Sequence, residues 1–368
     1  MTNSITNSGP PQKFTDYPAV EHREDYKPAR EYLRSRSAKI TGLLGLYEYG
    51  SVGAPGISDI DLIAVIDSKI DSKQMFDFLS GSGAPSHVTR VLDQGTIKPM
   101  SESLFSRINV LGAIDTAPIF TPDPIALRSP NPDDIKFIDI ANVIDWLPER
   151  ALMLRSLLDQ PTLSCRRVLG GLGSFKHSVA TVGAVLGYEP KESISFSNSY
   201  NDLRSEWFEN SEVDNFRKTV DLINAGIATG KSLLIQVTDH LISHGILESN
   251  KNASGSIFWL NSSKAFLFED GDVRTNISSE SAPLLVHIVP PAWIPILDLY
   301  AGAVGGISSL IARNTELAKG YSPTPVQNEF DTILNERIEW INESYEFLNP
   351  LGLSSLMYRF SHLRYREN

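Results

Sequence analysis

The sequence is nearly free of cysteine: Cys165 is the only one in 368 residues. No intramolecular disulfide can form, which fits a reducing compartment. Cationic surplus is missing as well. Lys and Arg number 33 against 44 Asp and Glu, for a net charge of −11 and a pI near 5.2. A broad nucleic-acid surface needs clustered cations, so this balance argues against a polynucleotide partner and favours a small molecule or a protein. There is no apolar run of membrane-spanning length. The most apolar stretch, 282–312, is interrupted by His287, Pro290, Pro291, Pro295 and Asp298, so no membrane span is expected. The first residues are polar and carry no apolar segment, so 1–24 reads as a disordered arm and not as a signal peptide. The expected location is cytoplasmic. Internal repeats and sustained heptads are absent, and the seven His show no metal-ligand spacing.

What is present is ordinary globular material, 41% hydrophobic and 21% charged. The length exceeds what one core usually serves, so two or three domains are expected. Residues 28–37 read as a helix, with Pro28 early and Ala29, Tyr32 and Leu33 on one face. Residues 43–49 form an apolar, aromatic run that suits a buried strand. Residues 50–56 hold three Gly and one Pro, a turn-rich loop. Residues 58–66 alternate like a strand. Asp71 or Ser72 can cap a helix through Leu79. A further strand is expected over 87–92, and an apolar run over 108–120 closes the region. The Pro-rich stretch 121–133 marks a boundary.

Beyond it the texture is helical: 135–158, then 166–186 with Gly170, Gly171 and Gly173 suggesting a break or close packing, then 213–244. No element is assigned between 187 and 212. Residues 257–268 resemble a hairpin turning at Asn261-Ser262-Ser263, and helices are expected over 294–315 and 326–348. The domain plan is an α/β domain over 25–125, a helical domain over 135–247, and a C-terminal hairpin with helices over 248–368. The expected fold class is α/β (α+β), with a mixed sheet of four or five strands and a mainly helical C-terminal part.

One stretch concentrates chemistry. Gly50-Ser51 ends a strand and opens the glycine-rich loop, where small residues let backbone N–H groups approach a polyphosphate. The Ser51 hydroxyl adds a donor. Asp59 and Asp61 lie two apart on a strand, so both carboxylates leave one face. Hard oxygen donors of this kind suit Mg²⁺, with Mn²⁺ as the alternative, alongside water and substrate phosphates. Ile60 and Leu62 face the other way and anchor the strand. A lone Asp-x-Asp is usually just solvated; here it comes with a preceding strand, a glycine loop and an apolar β-run.

This combination resembles the DNA polymerase β-like nucleotidyltransferase superfamily, in which a strand ends in Gly-Ser and an Asp-x-Asp strand follows. Gly50-Ser51 and Ser58-Asp59-Ile60-Asp61-Leu62 match that pattern over about the first hundred residues after the arm. The resemblance implies transfer of a nucleotidyl group from a nucleoside triphosphate to a hydroxyl acceptor, by two-metal phosphoryl transfer. It implies nucleotide contacts at Gly50, Ser51 and Ser58, and metal ligation by Asp59 and Asp61. The superfamily adds a third carboxylate from a later strand. Asp93 is taken for that part ahead of Asp115, although Gln94-Gly95 after it reads as a turn. The resemblance also implies a helical-domain Lys on the triphosphate tail, for which Lys176 is the candidate, and an active cleft between the first two domains. Without a third carboxylate the reading becomes a non-catalytic nucleotide-binding or scaffold protein on a decayed fold.

The remaining candidates have ordinary explanations. Lys176 and His177 suit a solvated basic helix face, and nothing selects Lys39 or Arg90 for a cleft. Cys165 suits buried packing. Trp259, Phe258, Phe266 and Phe268 suit a hydrophobic core.

Overall fold

The computed structural model describes residues 11–92, 97–112, 114–158, 160–246, 257–260, 265–269, 272–276, 285–288 and 328–356. In chain order its elements are β1 (Phe14–Thr15), α1 (Tyr26–Ser37), β2 (Leu43–Tyr49), β3 (Asp61–Ile66), α2 (Ser72–Leu79), α3 (Ser86–Thr89), β4 (Lys98–Met100), α4 (Glu102–Ser106) and β5 (Thr116–Phe120). There follow α5 (Pro132–Leu158), β6 (Leu163–Ser164), α6 (Cys165–Leu186), α7 (Lys191–Ser205) and α8 (Glu212–Ser243). The described elements end with β7 (Ile257–Leu260), β8 (Ala265–Glu269), β9 (Asp272–Asn276), β10 (Leu285–Ile288) and α9 (Asn328–Leu348).

They form two compact units, both discontinuous in sequence. Residues 19–135 and 335–356 make a sheet unit; residues 11–18 and the described parts of 136–334 make a helix-rich unit.

The sheet unit is built on a mixed four-stranded sheet in the order β4-β3-β2-β5. β2 pairs antiparallel with β3 and with β5, while β3 and β4 run parallel. β3 is central, and its residues 62–66 are all buried; an apolar run with both faces covered needs no polar alternation. α1 lies on the Leu62 side. Its Arg30 forms a two-pronged pair with Glu48, 2.7 Å at both contacts, and Glu48 is the register partner of Leu62. On the opposite face Tyr47, the partner of Ile63, packs against Phe105 of α4 with ring centroids 4.4 Å apart. Trp340 of α9 donates its indole N–H to the Leu104 carbonyl at 2.9 Å, and Arg337 donates to the Val110 carbonyl. Capping follows the sequence. Asp71 accepts from the amides of Lys73 and Gln74 to start α2, and Ser101 accepts from Leu104 to start α4.

In the helix-rich unit α6 runs unbroken from Cys165 to Leu186. Two of its glycines serve close packing, Gly171 facing Met153 and Gly173 the Tyr200 hydroxyl, while Gly170 faces open space. The chain before Pro18 belongs to this unit. Phe14 pairs with Leu163 in a parallel two-stranded ribbon, and Asp16 accepts from the Cys165 amide at 3.0 Å. The arm expected over 1–24 therefore carries structure from residue 12 onward, because Phe14 buries against Trp207 and Tyr17 stacks on the same ring. The expected hairpin exists as β7 and β8, extended to an antiparallel sheet in the order β10-β7-β8-β9. The helix expected over 294–315 lies outside the described residues.

Two further differences stand out. Residues 87–92 are not a strand. Pro85 and Ser86 open the one-turn helix α3, and Leu92 forms an isolated parallel bridge with Ile60, whose amide donates to the Val91 carbonyl. The run 108–120 divides into a 3-10 turn over Ile108–Leu111 and the strand β5.

Candidate metal and phosphate site

Tyr49, the last residue of β2, is the register partner of Asp61, the first of β3. The chain must leave the sheet beside that carboxylate, and Gly50 makes the departure at φ +74°. A side chain rarely adopts that backbone. A Cβ placed on Gly50 would stand 3.5 Å from Asp61 Oδ2. Gly-Ser and the second aspartate, ten residues apart in the chain, thus share one corner.

The loop from Ser51 to Asp59 is held from within and from below. Ser58 donates its amide to the Ala54 carbonyl at 2.7 Å and accepts the Ala54 amide on its hydroxyl at 2.9 Å. Tyr26, 1% exposed at the start of α1, donates its hydroxyl to the Ser58 carbonyl at 2.6 Å and accepts the Gly56 amide at 3.0 Å. Sequence reasoning missed Tyr26. Its signal was an aromatic residue just ahead of the expected helix, which nothing local distinguishes from packing.

Ile60 and Leu62 are each 1% exposed and anchor the strand, while Asp59 and Asp61 are half-buried. The Ile60 amide donates to the Val91 carbonyl at 2.6 Å, and Ile60 bridges Leu92. The chain is therefore extended between the two aspartates, as a shared face requires. Ser51 is exposed at the mouth of the loop.

No family model, curated protein or solved structure matches this chain. The site is consequently judged on its own residues. The pair Asp59 and Asp61 supplies hard oxygen donors of the type Mg²⁺ takes, with the glycine turn beside Asp61. Among the described residues no group of three His, Cys, Asp or Glu is placed to hold a metal ion. Asp93 lies outside the described residues; Leu92, immediately before it, is the bridge partner of Ile60. Asp115 is exposed and precedes β5, where Thr116 is the residue in register with Tyr49. Ser58 has a loop-closing role in addition to any ligand contact. Arg90 pairs with Glu21 at 3.4 Å, and Lys39 is exposed. Lys176 belongs to the helix-rich unit, where its ammonium donates to Asn201 at 2.9 Å. No helix among the described residues is long and apolar enough to cross a membrane.

Proposed function

We propose that this chain is a nucleotidyltransferase of the DNA polymerase β-like kind, moving a nucleotidyl group from a nucleoside triphosphate to a hydroxyl acceptor with release of pyrophosphate. The observation that carries this reading is the corner where Gly50 turns against the Asp61 carboxylate. In this reading the glycine loop accepts the phosphate chain while Asp61, beside it, ligates metal.

In this reading Asp59 and Asp61 hold divalent metal at the start of the central strand β3, with Asp93 as the third carboxylate. Bound Mg²⁺ would neutralise the triphosphate and polarise its α-phosphate. Backbone N–H groups at Gly50 and Ser51, with the Ser51 hydroxyl, orient the phosphates. The Tyr26 clamp keeps the loop in shape before the ligand arrives, so less ordering is needed on binding. The charge of −11 favours a small-molecule or protein acceptor over nucleic acid.

The deciding experiment is a thermal melt with each nucleoside triphosphate and Mg²⁺, on wild type and on the double variant Asp59→Ala, Asp61→Ala. Ligand at ~100 times its dissociation constant adds roughly 2.7 kcal/mol to the folded state. Metal-dependent stabilisation by one triphosphate, lost in the variant, is the expected result. Cooperative melting with no shift for any triphosphate would overturn it in favour of a non-catalytic scaffold.

A further inference from the structure

A second concentration of charge lies wholly inside the helix-rich unit. α6 carries Lys176 and His177, α5 carries Arg150 and α7 carries Arg204. Arg150 anchors one nitrogen of its guanidinium to the Ser174 carbonyl and the Ser178 hydroxyl, both at 2.6 Å, with its plane 4.5 Å from the Trp146 ring centroid. Lys176 and Arg204 lie over the same ring, that of Tyr200, at 5.8 and 5.3 Å from its centroid. Tyr200 is 3% exposed, and α6 is close enough for its hydroxyl to fill the space beside Gly173. The rings and anchors fix where these cations stand.

His177 sits among all three. Partial burial of its ring is the largest influence on it, followed by the charges of Arg150, Lys176 and Arg204, and together these lower its pKa below the ordinary histidine value. The residue is nonetheless at the surface. Ser174 and Ser178, which hold Arg150, and Lys176, which shares the Tyr200 ring with Arg204, all lie within three residues of His177 on α6, in a chain whose overall charge is negative. A planar guanidinium offers five N–H donors on a rigid fork, an ammonium offers three, and a neutral imidazole adds one. That donor set matches the tetrahedral oxygens of a phosphate group.

We propose that Arg150, Lys176, His177 and Arg204 form a binding site for a phosphate group in the helix-rich unit, distinct from the triphosphate of the Asp59–Asp61 site. Every donor and every supporting ring comes from α5, α6 or α7, so the site is assembled without any residue of the sheet unit. It does not depend on the nucleotidyl-transfer reading.

The test is a titration of the full chain with inorganic phosphate, following the His177 ring C–H resonance at constant ionic strength, with chloride as the control. The resonance is assigned by its loss in His177→Asn. A saturable phosphate response that chloride does not reproduce is expected, together with at least a tenfold weaker response in Lys176→Gln, Arg204→Gln. An unsaturable drift, or the same shift with chloride, overturns the site. The wild-type comparison decides this even if the double variant fails to fold. A second arm repeats the titration with saturating Mg²⁺ and ATP, in wild type and in Asp59→Ala, Asp61→Ala. A phosphate midpoint unchanged within twofold in both supports a separate phosphate ligand. Competition that persists in the aspartate variant assigns the cluster to the nucleotide's own tail and overturns the proposal.

Discussion

Gly50 and Asp61 are held against each other, with Oδ2 of Asp61 3.5 Å from where a Cβ on Gly50 would stand. The contact comes from strand register, because Tyr49 pairs with Asp61 and the next residue must turn. Two effects of Gly50→Ala can therefore be separated. The 3.5 Å approach is ordinary van der Waals contact, so steric cost is small. The φ of +74° is not ordinary, and an L side chain there costs about 1–2 kcal/mol. We expect Gly50→Ala to melt lower by about that much while losing most of the metal-dependent triphosphate stabilisation. Full retention of that stabilisation in a measured melt would remove Gly50 from the phosphate site.

Tyr26→Phe deletes one hydroxyl and leaves the Ser58 carbonyl and the Gly56 amide without it. Leaving buried polar groups unpaired costs about 1–3 kcal/mol. The expected signature is local: hydrogen exchange at the Gly56 amide accelerates, while the amides of β3 keep their protection. Unchanged exchange at Gly56 would show that the loop holds itself.

Two helical glycines should respond in opposite directions to alanine. Gly170 has nothing within 4 Å of its added Cβ and is exposed on α6. Alanine there should stabilise by up to about 1 kcal/mol through helix propensity. At Gly226 on α8 the same Cβ would meet Leu154 at 2.7 Å and Phe196 at 3.0 Å. Overpacking costs about 1–3 kcal/mol and outweighs the propensity gain. Chemical denaturation of both variants reads the sign directly; a stabilising Gly226→Ala would mean the α5–α7–α8 packing gives way easily.

Burial, and then the charges of Asp16 and Glu212, push the Cys165 thiol up from 9.0 to about 12. The folded protein keeps this proton at pH values where the unfolded chain has lost it. The associated stability is fully present below about pH 9 and is lost as pH rises towards about 12. Wild type should therefore lose stability relative to Cys165→Ala across that window, and a thiol reagent should label the native protein only as fast as it unfolds. Rapid labelling of the folded state at neutral pH would contradict the buried placement.

Local pattern alone carried much of this protein. Leu43–Tyr49 is a strand because its apolar and aromatic residues fit nothing else between a helix and a glycine loop. Asp71 and Ser72 mark the start of α2 because a capping side chain acts within three residues. The Gly50-Ser51 and Asp59-x-Asp61 spacing was visible for the same reason. Short apolar stretches were not decidable: Val88, Val91 and Leu92 suit a strand or a helical turn equally, and Pro85 with Ser86 tipped Val88 to helix while Leu92 kept a single bridge. α7 was missed because its sequence is rich in Ser and Asn, although Phe196, Tyr200 and Leu203 already carried the buried helical spacing.

Tertiary structure alone decided what depends on partners far along the chain. Phe14 finds Leu163, and Tyr26 finds the loop at Gly56 and Ser58. Arg150 of α5 finds Ser174 and Ser178 of α6, and Arg204 of α7 shares the Tyr200 ring with Lys176 of α6. Such pairings follow from which surfaces bury together, a property of the whole chain's packing that no short window of residues contains.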